Sequence, residues 1–206
     1  MANHTCNGVY TLTGLEVYDV SVFCDMRTLN GGWLVFQRRM DGSEDFYRTW
    51  NEYKDGFGDL EGEFWLGNEI IHQITSRAVY EMRIDFEDFE GNTRYAMYSS
   101  FTLGSEAEKY TLHVGSYSGD AGNALYWHNN TLFSTKDADW DAHTYGSCAV
   151  EFHGAWWYTA CLACNLNGLY LGGPTCVSGK GVVWYEWRGL LYSLKRTEMK
   201  IRPILP

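Results

Sequence analysis

At 206 residues the chain is long enough for one substantial core, or for two small ones at most. Aromatic residues make up 17% of it and only three prolines occur, a composition that excludes an extended disordered chain. Twenty-six acidic against sixteen basic side chains leave a formal charge of −10, which disfavours nucleic acid and anionic membranes as partners and suits a cation, or a neutral or positive ligand.

No run of eighteen apolar residues occurs, so nothing reads as a bilayer-spanning helix. Met1-Ala2-Asn3-His4 lacks the features of a signal peptide and is the start expected of an excised domain carrying an initiating methionine. Asn3-His4-Thr5 and Asn129-Asn130-Thr131 are glycosylation sequons, meaningful if the chain is secreted.

Cys6 and Cys24 lie at equal distances from Leu15, and 9–12 and 17–23 read as strands around Thr13-Gly14. A hairpin centred there sets the two thiols opposite each other. Phe46, Trp50 and Tyr53 recur at helical spacing behind a capping Ser43, and Asn68 caps a second helix over 69–76. From 79 to 86 the alternation is strict, with Tyr80, Met82, Ile84 and Phe86 on one face and Glu81, Arg83 and Asp85 on the other. Gly91-Asn92 turns this strand into a partner over 94–103, and Tyr110, Leu112 and Val114 alternate again, so the middle reads as an antiparallel meander.

Beyond Val114 periodicity fades and glycine is frequent, while Trp127, Trp140, Trp156, Trp157 and Trp184 raise the aromatic density. Long irregular segments tend to be functional where something other than a sheet holds them. Tyr192 to Leu194 and Met199 to Pro203 alternate once more, predicting a return to the central sheet.

Asp137, Asp139 and Asp141 form an alternating acidic run that can turn carboxylates toward Ca²⁺, an ion that takes six to eight hard oxygens. An EF-hand is excluded because Ala142 and Cys148 stand where that loop needs Gly and a bidentate Glu. A solvated acidic turn is the plainer reading of the same three residues.

Of the remaining cysteines, pairing Cys148 with Cys161 closes a short loop worth roughly 3 kcal/mol in the loop-entropy model. Cys164 and Cys176 then make a third bridge. A zinc site using all four thiolates competes, with one Cys-x-x-Cys and no second knuckle in its support. An even count in local pairs points to an oxidising, extracellular compartment.

The stretch from Asn30-Gly-Gly-Trp33 through Phe36-Gln-Arg-Arg39 to Ser43, then Gly62-Glu-Phe-Trp-Leu-Gly-Asn-Glu69, resembles the fibrinogen C-terminal (fibrinogen-related) domain of ficolins, tachylectins, tenascins and angiopoietins. Phe133-Ser-Thr-Lys-Asp-Ala-Asp139, Trp156-Trp157, Asn165-Leu-Asn-Gly168 and Met199-Lys-Ile-Arg-Pro203 extend the resemblance over nearly the whole chain. It implies an α+β fold in one domain over 1–206: an N-terminal disulfide-tied part (1–34), a central twisted antiparallel sheet with short helices (35–114 plus 190–206), and a loop-rich part (115–189) for calcium and ligand.

Carried over residue by residue, the calcium ligands are the side chains of Asp139 and Asp141 and the carbonyls of His143 and Tyr145, with Asp137 behind them. The ligand pocket would take in Phe152, which matches the family's aromatic four places after the first loop cysteine, together with His153, Tyr158, Leu162, Ser178 and Gly179. Leu162 replaces the histidine that usually follows the second cysteine, and the aromatic and tyrosine expected near Ser178 and Leu190 are missing. The acidic groups of the fibrinogen knob pocket would fall near Phe152 and Gly179. Trp156 and Trp157 read as core, because large aromatics mostly bury.

The leading expectation is a secreted, calcium-stabilised recognition domain of lectin type. It would bind carbohydrate or acetylated groups on microbial or host surfaces in innate immunity and work as a homo-oligomer through an upstream segment. The alternative is a protein-binding module for a receptor or matrix partner, as in angiopoietins and tenascins, which the altered pocket residues favour. Catalysis is not expected, since no Gly-x-Ser-x-Gly elbow, phosphate loop or His-Glu-x-x-His occurs.

Overall fold

Strand-forming alternation in three separate stretches of sequence builds one large antiparallel sheet in the computed structural model, which describes residues 6–15 and 19–204. Its strands are β1 (Gly8–Leu12), β2 (Val20–Asp25), β3 (Trp33–Arg39), β4 (Phe57–Gly58), β5 (Phe64–Trp65), β6 (Tyr80–Glu87), β7 (Thr93–Leu103), β8 (Leu112–Val114) and β9 (Tyr117–Gly119), with β14 (Arg196–Pro203) completing it. Between β9 and β14 lie two small two-stranded sheets, β10 (Cys164–Asn165) with β12 (Val183–Trp184) and β11 (Gly173–Pro174) with β13 (Tyr192–Ser193). The main order is β1-β2-β3-β14-β6-β7-β8, so the last strand lies at the centre, between β3 and β6. This is the α+β architecture expected, with four short helices: α1 (Trp50–Asp55), α2 (Asn68–Thr75), α3 (Cys148–Phe152) and α4 (Tyr185–Arg188).

The two faces of this sheet differ. Val35, Met82, Ile84, Phe86, Met199 and Ile201 are buried in the core, beside the aromatic packing of Tyr53, Trp65, Phe133 and Trp157. On the other face Lys200, 2% exposed, meets Asp25 and Asp85 at 2.6 Å and Glu198 at 3.1 Å, and Arg38 donates to Glu198 at 2.9 Å. Burial opposes the charge of Lys200, but Glu198, Asp85 and Asp25 outweigh it and hold the ammonium above its ordinary pKa.

Three expectations change. The β1–β2 register sets Cys24 opposite Gly8 instead of Cys6, and neither cysteine is bridged. The centre of that hairpin, within 16–18, and the first sequon lie outside the described residues. The first helix starts at Trp50 because Thr49, locked to Glu52 by its own N–H and hydroxyl, caps it. The Glu63 carboxylate instead accepts the N–H groups of Met40, Asp41, Gly42 and Glu44, which holds the preceding segment out of a helix. Finally, Tyr192 and Ser193 pair with β11 and only the strand from Arg196 joins the central sheet.

Candidate functional site

The acidic run folds into a bend tied at both ends. Thr135 and Ala138 exchange backbone bonds, Asp137 accepts from the Thr135 hydroxyl at 2.7 Å and from the Trp50 N–H at 2.9 Å, and so fastens the bend to the start of α1. Asp137 is therefore spent on the helix. Asp141 accepts from the N–H groups of His143 at 2.8 Å and Cys148 at 2.7 Å, and Asp139 lies beside it, accepting from the Asp141 N–H at 3.3 Å.

Burial, and then the neighbouring Asp139 charge, push the Asp141 carboxyl above its ordinary pKa against the pull of its two N–H donors. Among the described residues no basic side chain forms an ion pair with either carboxylate, and no protein donor reaches the His143 or Tyr145 carbonyls. Two adjacent carboxylates and two uncommitted carbonyls form a hard-oxygen set that fits Ca²⁺. No cluster of three or more His, Cys, Asp or Glu side chains occurs among the described residues, so the remaining ligands would be backbone and water oxygens.

α3 begins at Cys148, where the Ser147 hydroxyl caps Val150, and ends on His153 in the left-handed region at φ 51°. Cys148 is joined to Cys161 with Cα atoms 5.6 Å apart. The other expected bridge is not formed. Cys164 is buried in β10 opposite Trp184, its thiol pushed well up in pKa by burial, whereas Cys176 is exposed beyond β11. Since Cys148 and Cys161 are consumed by each other, a four-thiolate zinc site is also absent.

The cysteine-braced segment is positioned by a residue without any periodic signature. His128, fully buried, accepts at Nε2 from the N–H groups of Ala163 (3.1 Å) and Cys164 (3.2 Å). Its Nδ1 then carries the proton and donates to the Trp157 carbonyl at 2.7 Å. Burial lowers its pKa to about 4. From the other side Asn165 donates to the Phe152 and Gly179 carbonyls and accepts from the Tyr158 hydroxyl, while Asn167 donates to the Ala155 carbonyl and accepts from Gln37. The Asn165-Leu-Asn-Gly168 motif is thus the bracket between the loops and β3.

Of the expected pocket residues, Phe152, Leu162 and Gly179 come together. A Cβ on Gly179 would stand 2.7 Å from the Phe152 ring and 3.4 Å from Leu162, which is why glycine is required there. Ser178 is exposed beside them. Two residues fall elsewhere: Tyr158 is buried with its hydroxyl on Asn165, and His153 turns away to stack on Tyr47 at 5.1 Å. Trp156 and Trp157 are fully buried, as expected.

The accessible feature is a hollow of about 320 Å³ lined by Trp127, Leu162, Tyr185 and Leu190 over the backbone of 159–163. Trp127 and Tyr185 are each 59% exposed at its rim, and no charged side chain lines it. The Ala160–Cys161 peptide in its floor is cis. Tyr185 carried no sequence signal, because it opens a four-residue helix between strands. Asn129, the acceptor of the second sequon, both accepts from and donates to the Val114 backbone, so its amide is already committed.

The family model for the C-terminal globular domain of the fibrinogen beta and gamma chains matches residues 2–204. Angiopoietin-related protein 7 from human is 50% identical over 98% of this chain and 59% of its own length, and the cattle protein is 49% identical over the same shares. Human fibrinogen C domain-containing protein 1 is 52% identical over 96% of this chain and 44% of its own. The chain thus spans about three fifths or less of the curated relatives it matches. The fibrinogen-like globe domain of human ANGPTL6 superposes with a TM-score of 0.96 at 45% identity, covering 100% of this chain and 92% of that one. Lamprey fibrin D-dimer, solved with the peptide Gly-His-Arg-Pro-amide, gives 0.92 at 38% identity over 98% of this chain and 70% of that one. By sequence match and by architecture alike, the chain belongs to the fibrinogen C-terminal globular domain family.

Proposed function

We propose that this domain is the partner-binding head of a secreted protein and that it recognises a protein or peptide through the hollow beside Leu162. The carrying observation is the lining of that hollow: aliphatic and aromatic, rimmed by two half-exposed rings, with no charge inside. Such a surface takes an apolar side chain of a partner, and Trp and Tyr are among the residues enriched in protein-binding hot spots. The angiopoietin-related relatives and the peptide-bound lamprey relative support this reading over a lectin, and the hollow lacks the histidine expected for an acetyl carbonyl.

Calcium belongs to the same proposal. Asp139, Asp141 and the carbonyls of His143 and Tyr145 would hold the ion, which supplies fixed positive charge to the bend. Because the Ala142 N–H donates to the Thr159 carbonyl, the bend abuts the floor of the hollow, and its order would be passed on there. Several tethered copies would add avidity to a weak single contact.

The test is a screen of purified receptor and matrix ectodomains with the native protein and Leu162→Asp, with and without N-acetylglucosamine. The reading expects binding that Leu162→Asp abolishes and the sugar leaves unchanged. Binding competed by the sugar would establish the lectin instead.

A further inference from the structure

The strand order of the main sheet ends in two different edges. At one end β8 is covered: Leu112 donates to the Thr131 carbonyl and accepts from the Asn130 N–H, and the Asn129 side chain clasps both backbone groups of Val114. At the other end β1 pairs with β2 alone. Among the described residues no further strand or side chain bonds to the backbone of Gly8, Val9, Thr11 or Leu12. Alternate residues of an antiparallel strand turn both backbone groups away from the partner they already have, so this edge carries peptide groups ready to pair.

Exposed edges are ordinarily guarded by charge, by proline or by a bulge. β1 has none of these. No charged residue and no proline occurs from Cys6 to Leu15, and the register against β2 runs unbroken from Gly8 opposite Cys24 to Leu12 opposite Val20. Val9, 43% exposed, and Thr11 stand on the solvent side of the strand, whereas Gly8, Tyr10 and Leu12 are half-buried. A row of peptide groups beside two exposed β-branched side chains is a surface for another extended strand.

Charge and symmetry select which strand. At a formal charge of −10, two copies of this chain repel each other over most of their surface and approach most easily where charge is lacking. A twofold axis sets a strand antiparallel to itself. The register that pairs all five residues places Val9 opposite Thr11 of the partner subunit, a β-branched pair on the solvent face, and brings no like charges together. We propose that β1 is a self-association edge, through which two copies of this domain join into one continuous antiparallel sheet by a β1–β1 pairing centred on Tyr10. Five residues a side bury less than a standard interface, so the dimer is weak, with a Kd of about 100 µM. The edge is separate from the Leu162 hollow and does not rest on the reading given for it.

Sedimentation equilibrium of the whole protein up to about 500 µM should show a reversible dimer. Val9→Lys with Thr11→Lys, at two solvent-facing positions, should weaken it about tenfold or more, because the introduced charges oppose each other across the axis. Val9→Glu with Thr11→Glu should do the same. An equimolar mixture of the two double variants should then recover at least the native affinity as a heterodimer, which loss of fold in either variant could not produce. In the native protein, exchange of the β1 amide hydrogens should slow as protein concentration rises, a readout that needs no variant. A monomer at about 500 µM, a dimer untouched by either double variant, a mixture that stays monomeric, β1 exchange independent of concentration, or a dimer that non-reducing electrophoresis shows to be linked through the exposed Cys6 or Cys176 would each overturn the proposal.

Discussion

His128 shows how much a single buried group can decide. It is neutral in the fold and holds two N–H groups of the segment that floors the hollow. Its pKa falls from an unfolded value near 6.5 to about 4, so between those values the unfolded chain binds the extra proton and stability declines as pH falls. From pH 7 to pH 5 this group alone should remove about 2 kcal/mol. Urea unfolding at both pH values checks it: His128→Gln, which keeps one acceptor and cannot titrate, should be less stable at pH 7 and lose less on acidification. Gly179 is a second such residue. Gly179→Ala meets both the strain of φ +75° and the Phe152 ring, and should cost about 1 to 3 kcal/mol by thermal unfolding while displacing that ring.

Among the elements, the acidic bend and α1 stabilise each other through Asp137. Asp137→Ala should cost about 1 kcal/mol, as loss of a helix-terminal acceptor does, and should weaken calcium binding by loosening the bend. Asp141→Asn should abolish the response to calcium expected of the proposed site, because it would remove one of that site's two charged oxygen donors. If the proposed site holds calcium, the ion at about a hundred times its Kd should add about 2.7 kcal/mol to the native protein and raise Tm by about 5 to 10 °C in calorimetry. An unchanged melting curve in excess chelator would exclude the site. On the outer face of the sheet, Lys200→Met leaves three carboxylates without their shared cation and should cost about 3 to 5 kcal/mol.

What could be read from residues alone follows from these same elements. β6, β7 and α2 came through because period and burial agree over whole turns and strands. The helix start at Trp50 did not, since Glu63, distant in sequence, takes the N–H groups of residues 40–44. The β1–β2 register depends on turn geometry that no alternation encodes, and two cysteines at symmetric positions ended two residues apart in the ladder. Of the residues the family's spacing singled out, Phe152, Leu162 and Gly179 lie together, and Leu162 alone of the three lines the hollow. His153 and Tyr158 were misplaced because a left-handed helix end and a bond to Asn165 decide where they point. His128 and Tyr185 were invisible, as neither sits in a periodic segment.

At the scale of the whole molecule, one disulfide and four unbridged cysteines define its redox chemistry. Alkylation of the denatured, unreduced protein should modify four cysteines. In the native fold, Cys176 should react readily, while Cys164, buried and with its thiolate disfavoured, should resist until unfolding. Reducing the Cys148–Cys161 bond should cost roughly 3 kcal/mol in denaturant titration. The central placement of β14 carries a consequence for biosynthesis. During translation the ribosome releases β3 and β6 long before the strand that joins them exists, so each waits with a bare, sticky edge. A nascent polypeptide stalled short of Arg196 would therefore be a client for chaperones, however complete its remaining domain.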